Sequence, residues 1–295
     1  MRPFKSLAAD AGPGPLIPLL FVFIWSTGFI VARLVAPHAE PLTFLMLRYG
    51  LSIAVFTALA VAARAPWPSG LRGWVHAAIA GVLMQAVYLG GVFWSVRHGL
   101  PASLAALVGG LQPLLTALLA WRLLGERVSR RRWLGIVLGL AGAMLVLAPR
   151  AITARAPLAP VAICLAGMAA LTLGTIWQKR AAVSADLRTN AAVQFIAAAL
   201  VTAPFAYALE HRGFDFSPAA IAGLLWSVLG LSVGAISLLL LLIRRGAVAG
   251  VASLFFLVPP VTALLAFAAF GEHLAPLQVA GMALAATGVG LASRG

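Results

Sequence analysis

The chain is poor in charge and poorest in acid. Only 9% of its 295 residues are charged and seven are Asp or Glu, where an ordinary soluble domain carries about 25% charged residues. That shortage excludes a conventional water-soluble globule. Cysteine is scarcer still: Cys164 is the one in the chain, which excludes an intrachain disulfide and a cysteine-based metal site. What the chain has instead is 62% hydrophobic residues and a mean hydropathy of +1.03. Its solvent is lipid.

A helix needs about 20 apolar residues to cross the hydrocarbon. Apolar runs closed by charged, Pro or Gly-rich breaks predict ten membrane helices, at about 16–33, 41–63, 73–96, 101–124, 132–149, 158–178, 189–209, 218–243, 247–270 and 275–292. The expected fold class is therefore an all-α integral membrane protein. Connections this short leave no room for a soluble catalytic or ligand-binding domain. The first 15 residues have a basic start, and the apolar run after them is long enough to span, so a retained first helix is expected rather than a cleaved signal.

The net charge of +14 is a topology signal. In the ten-span reading, 15 of the 21 Lys and Arg residues lie on the side of the N-terminus, among them Arg130, Arg131 and Arg132; five lie on the other side, and Arg48 falls within span two. Because cytoplasmic loops carry the excess of Lys and Arg, both termini are expected in the cytoplasm. The same distribution removes the nucleic-acid reading, since no groove-reading motif accompanies it.

The most specific feature is a repeat at a spacing of 146–147 residues. Thr116-Ala117-Leu118-Leu119-Ala120 recurs as Thr262-Ala263-Leu264-Leu265-Ala266, Gly125-Glu126 as Gly271-Glu272, Pro113 as Pro260, and Gly135 and Gly142 as Gly281 and Gly288. Ser26, Gly28 and Arg48 fall on Thr172, Gly174 and Gln194. Each half, 1–153 and 154–295, holds five expected spans. Five is odd, so the second half enters the membrane inverted, which is an architecture of secondary transporters.

These landmarks carry a resemblance. WSTGF at 25–29, LTFLMLRYG at 42–50, LLGERVS at 123–129, GIVLGLAGAMLVL at 135–147 and PPVTALLAFAAFGEHLAPLQVAGMALAATGV at 259–289 resemble the EamA-type exporters of the drug/metabolite transporter superfamily. The second copy departs in carrying GEHL for GERV and lacking the Arg-rich tail. The resemblance implies a ten-helix bundle in the bacterial inner membrane that exports amino acids or related metabolites by alternating access.

Ionisable groups inside a membrane are functional by default. All seven acids, Asp10, Glu40, Glu126, Asp186, Glu210, Asp215 and Glu272, fall in tails, connections or span ends, which argues for facilitative or weakly coupled transport. At 100° per residue, His76 shares a face of span three with Trp94 and is a further candidate for the substrate site. Arg48 lies roughly 10 Å in from one end of span two at 1.5 Å per residue. It would either hold a substrate carboxylate or bind helix-end carbonyls and fix the packing of the first two spans. The neutral repeat partner Gln194 gives the packing role more weight.

Span three is the richest in polar residues. Gln85 and Tyr88 on its stripe suit an amide- and aromatic-lined cavity, with interhelical glue as the alternative. Trp94 would line the same cavity or sit in the interfacial belt. Trp25 is deep enough to face a cavity, whereas Trp177 reads more readily as a belt residue. Gln112 beside Pro113, and Pro259-Pro260, mark losses of backbone hydrogen bonds that would serve as hinge and substrate contact or merely as kinks. Gly135 and Gly139 would pack helices within the chain more readily than between chains, so a monomer is favoured and no oligomer is required.

The expected partners are a small-molecule substrate and the bilayer, with no cofactor, no metal and no catalytic residue. Drugs, nucleosides and sugars remain alternative cargoes. A membrane-embedded enzyme would need a carboxylate pair, a metal cluster or a Ser/His dyad in the bilayer, and the sequence offers no acid pair there.

Overall fold

The computed structural model describes residues 16–100, 102–124, 129–153, 158–180, 186–211, 213–245, 248–270 and 275–293. The landmarks Gly125-Glu126 and Gly271-Glu272, and the acid Asp10, lie outside the described residues. Helix follows helix: α1 (Leu16–Val35), α2 (Pro41–Ala62), α3 (Gly70–Gly81), a π-helical stretch Val82–Val87, α4 (Tyr88–Arg97), α5 (Ala102–Gly110), α6 (Gln112–Leu124), α7 (Arg130–Thr153), α8 (Leu158–Arg180), α9 (Leu187–Leu209), α10 (Pro218–Trp226), a second π-helical stretch Ser227–Ile236, α11 (Ser237–Arg245), α12 (Val248–Ser253), a 3-10 turn Leu254–Leu257, α13 (Val258–Phe270) and α14 (Pro276–Ser293). Among the described residues, extended pairing is limited to one isolated bridge, Ala39 to Phe214.

Seven of these rods are long and apolar enough to cross a membrane, three of them counted through their π or 3-10 stretches. Their outer faces are apolar: Leu158 is 88% exposed, Leu16 76% and Leu200 71%. Side chains of this kind are stable at a surface only where that surface meets lipid. Inside, the rings of Phe21, Phe44, Tyr49, Phe56, Phe195 and Phe255 are almost wholly buried.

The span expected over 101–124 is broken at Leu111, between α5 and α6. Pro113 explains the break, because it has no N–H to donate to the carbonyl of Gly109 four residues back. The 3-10 turn at Leu254–Leu257 precedes Pro259-Pro260 for the same reason. Neither π stretch was expected from the sequence. In the first, the Gln85 carbonyl accepts a hydrogen bond from the Tyr49 hydroxyl at 2.7 Å, a side-chain donor reaching a wide turn away from water.

Glycine permits the closest helix contacts. A Cβ on Gly135 would stand 2.5 Å from the Ala292 nitrogen, and Gly142 meets Gly281 and Ala285 in the same way. So α7 and α14 cross through small residues, and the pair Gly135/Gly139 is used within the chain, where Gly139 takes the Phe256 ring. Gln278 joins the same pair, donating to the Val146 carbonyl at 2.9 Å.

At one end of the bundle, the connection after α1 is latched to the one after α9. Glu210 accepts from the Leu42 N–H at 2.8 Å, the Thr43 N–H at 2.7 Å and the Thr43 hydroxyl at 2.9 Å. A carboxylate from a distant helix thus serves the N-terminal amides of α2, where negative charge is stabilising. Beside it the Gly213 N–H donates to Glu40 at 2.8 Å, and His38 lies 3.0 Å from Asp215.

Glu210→Ala is expected to cost about 1–3 kcal/mol, read as a lower melting temperature of detergent-solubilised protein, with Glu210→Gln recovering part of the loss. The Gly213 N–H, together with His211, holds the Glu40 carboxyl below its ordinary value of 4.5. Its contribution is therefore complete above the usual carboxylate range and fades as pH falls through the folded value. Melting scans should stay level from neutral pH to about pH 5 and decline below it, and Glu40→Gln should make that decline shallower.

Candidate functional site

A partly open cavity lies among α1, α2, α4 and the second π stretch. Helix α1 contributes Trp25, Gly28 and Phe29; α2 contributes Arg48; α4 contributes Tyr88, Leu89, Val92 and Phe93; and the π stretch contributes Leu231, Ala235 and Ile236. Gly28 leaves the space, since a Cβ there would meet only the Leu231 methyls at 3.6 Å. Tyr88 follows directly on the first π stretch, and Leu231 to Ile236 lie within the second. Both irregular turns thus border the cavity, in keeping with the tendency of π-helical turns to mark functional sites.

The walls are aromatic and aliphatic, with one charge. Trp25 and Tyr88 are stacked at 6.1 Å between ring centres. Arg48 is only 3% exposed, and its Nε donates to the Ser232 hydroxyl at 3.0 Å. That bond crosses from α2 to the π stretch, and among the described residues no helix-end carbonyl accepts from Arg48. No described carboxylate stands near it either: Glu40, Asp186, Glu210 and Asp215 are all in connections or at helix caps. A buried cation without an anion is costly.

A three-ring floor separates this cavity from a smaller one. Phe255 packs edge-on against Trp25 at 5.2 Å and Phe21 at 5.6 Å, and Phe21 meets Trp25 at 5.3 Å. Beyond it, a smaller hollow is lined by Gln112, Thr175, Leu239, Ile243, Val251, Ala252 and Phe255. The Gln112 Oε1 is buried without a hydrogen-bond partner.

Of the residues singled out from the sequence, Trp25, Arg48 and Tyr88 come together in the larger cavity and Gln112 lines the smaller. The others lie elsewhere. Gln85 is fully buried with neither amide atom partnered. His76 and Trp177 pair at 5.3 Å, and the Trp177 indole donates to the His76 carbonyl at 3.3 Å. Trp94 stacks on His98 at 3.9 Å. Pro259 and Pro260 follow the 3-10 turn that carries Phe255. Sequence reasoning missed Phe255, Ser232 and the Leu231 to Ile236 wall. A flag for Phe255 was present in the two prolines after it, whereas Ser232 is one serine in an apolar run.

A polytopic helical bundle with a polar group buried in an aromatic cavity is the frame of a membrane transporter. The EamA-like transporter family matches this chain twice, over residues 12–148 and 159–294; the chain belongs to that family. It is 31% identical over 137 residues to the "Uncharacterized inner membrane transporter YedA" of Escherichia coli strain K12, covering 45% of this chain and 43% of that protein. It is 28% identical over 132 residues to the "Probable amino-acid metabolite efflux pump" of Salmonella typhimurium strain LT2, covering 44% of this chain and 42% of that protein. The matched stretch thus spans less than half the length of these curated relatives. A solved crystal structure superposes with a TM-score of 0.77 over 95% of this chain and 96% of the other at 24% identity; the two share a fold.

The cavity can be probed by thiol chemistry, because Cys164 is buried. In a Cys164→Ala background, Val92→Cys is expected to react at least ~10-fold faster with a small water-soluble thiosulfonate than Ala198→Cys in the helix core. Equal rates would mean that solutes do not reach the space between Trp25 and Arg48.

Proposed function

We propose that this protein exports amino acids or related small metabolites across the bacterial inner membrane by alternating access. In this reading ten spans form two inverted halves, residues 1–153 and 154–295, with both termini cytoplasmic. The observation that carries it is Arg48, a charge buried at membrane depth in the wall of a partly open aromatic cavity.

Packing that survives exchange of the halves supports the inverted arrangement. Gly135 meets Gly288 while Gly142 meets Gly281, so each residue touches the repeat equivalent of its partner's counterpart. The two π stretches, Val82–Val87 and Ser227–Ile236, overlap at the repeat spacing, as do the interruptions at Leu111 and Leu254–Leu257. Inverted halves of this kind rock about a site near the midplane.

The transport step follows from the floor of the cavity. Phe255 sits on a 3-10 turn whose following residues, Pro259 and Pro260, cannot donate to the carbonyls of Phe255 and Phe256. Fewer backbone bonds hold this turn, so it can shift and part Phe255 from Trp25, joining the larger cavity to the smaller one lined by Gln112. Pro113 gives the other half its matching joint. Among the described residues no acid lies within a membrane rod away from its ends, which favours facilitative or weakly coupled movement over a carboxylate-driven pump.

Counterflow in proteoliposomes loaded with amino acids, their deaminated or acylated relatives, nucleosides, sugars and cationic dyes tests the proposal. Exchange confined to the first two groups is expected, and Trp25→Ala in folded protein should slow it by about 10-fold or more, the scale of one lost aromatic contact. Exchange of none of the panel overturns the transport reading. Strong concentrative uptake driven by a proton gradient would overturn the weak coupling and turn attention to His76.

A further inference from the structure

We infer that the preferred cargo is an organic carboxylate with a flat apolar body and no cationic amino group, with Arg48 as its counter-ion. The inference rests on the cavity being the transport site, and it goes further by naming the ligand's charge.

Three observations converge. The first is that the Arg48 guanidinium is buried in the cavity wall with no carboxylate among the described residues to neutralise it. The described acids are engaged elsewhere: Glu40 with Gly213, Asp186 with Arg188, Glu210 with Leu42 and Thr43, and Asp215 with His38 and Ser217. A cation in such surroundings needs an anion within contact distance, and a bound ligand can supply it.

The second is orientation. Ser232 takes the Nε proton at 3.0 Å, which fixes the plane of the guanidinium while leaving its terminal nitrogens to donate. A planar fork held in this way suits a carboxylate bound through both oxygens. A sulfate-like or phosphate head would need more donors than one arginine and two aromatic hydrogens supply.

The third is what the cavity lacks. An α-amino acid carries its ammonium on the carbon next to the carboxylate, so the group that brings the anion to Arg48 also brings a second cation beside it. No cavity-lining side chain is an acid or an amide. Like charges held close in a poorly solvated site repel strongly. The stacked faces of Trp25 and Tyr88, flanked by Phe29 and Phe93, would instead hold an aryl or branched alkyl body. A deaminated or N-acylated amino acid combines these properties; the free zwitterion does not.

Four ligands of one shape separate the charges: 3-phenylpropanoate, 3-phenylpropanamide, phenylalanine and 2-phenylethylamine, titrated by calorimetry against the full chain in nanodiscs. The acid should bind at least ~10-fold more tightly than each of the others, the scale of one charge-assisted fork. Arg48→Gln should erase its advantage over the amide. Ser232→Ala, which keeps the charge and removes the anchor, should narrow that advantage several-fold and serves if Arg48→Gln does not fold. Undetectable binding of 3-phenylpropanoate, phenylalanine binding as tight as the acid, or an acid-to-amide ratio unmoved in both variants overturns the inference. The two readings fail separately. Amino-acid exchange in proteoliposomes without acid binding sinks the ligand class and leaves transport standing. Acid binding without exchange of any solute leaves the anion site and removes the transporter.

Discussion

In hydrocarbon every backbone N–H and C=O must find its partner inside the protein, and the architecture follows from that constraint. It makes the chain a set of rods, and it makes each departure from regular α-helix expensive. The departures in this molecule are few and border its hollow parts. Two π-helical stretches border the larger cavity, a 3-10 turn carries the ring between the two cavities, and the break at Leu111 stands next to Gln112 in the smaller one. Backbone irregularity at membrane depth is tolerated where it is covered by protein or lines a cavity. Here the second π stretch and the 3-10 turn share residues with the cavities, and the other two departures adjoin residues that line them.

The rods were legible because hydropathy reports the solvent directly. Seven described membrane rods overlap expected spans, and the ends of α2 and α9 lie within two residues of their expected places. Polar landmarks in an apolar background were legible for the same reason. Arg48, Tyr88 and Trp25 stand out from Leu and Ala, and they meet in one cavity. The contact between α7 and α14 was foreshadowed by glycines at the repeat spacing, since close helix approach needs small residues.

The cavity wall from Leu231 to Ile236 was not legible, and the reason is physical. A π turn adds one residue per turn without changing composition, so it rotates the following side chains relative to the 100° step from which faces are read. Gln85 and Trp94 were placed by that regular step. The π stretch Val82–Val87 lies between His76 and Trp94, and the cavity receives Tyr88, Leu89, Val92 and Phe93 instead. Arg48 was left between two roles. Its neutral repeat partner argued for packing, on the assumption that both halves of a shared site need the same chemistry.

That assumption fails if the halves are read as two states of one interface. Arg48 on α2 reaches Ser232 in the second π stretch and borders open space. Gln194, its repeat equivalent on α9, donates to Gln178 at 3.2 Å, while its backbone lies against Gly81 at the edge of the first π stretch. Equivalent helices are thus parted in one half and closed on each other in the other. Any side chain at position 81 would prop the closed pair apart, because a Cβ there meets the backbone of Gln194 and not a flexible side chain. An arginine in place of Gln194 would leave a second buried cation with no anion in whichever half was shut. A neutral glutamine is buried at lower cost than an unpaired cation: here its Nε2 donates to Gln178, while its Oε1 is left without a partner. On the proposed alternating mechanism the difference between Arg48 and Gln194 is therefore required: one half supplies the charge that holds the cargo, and the other supplies a polar surface that can be buried empty.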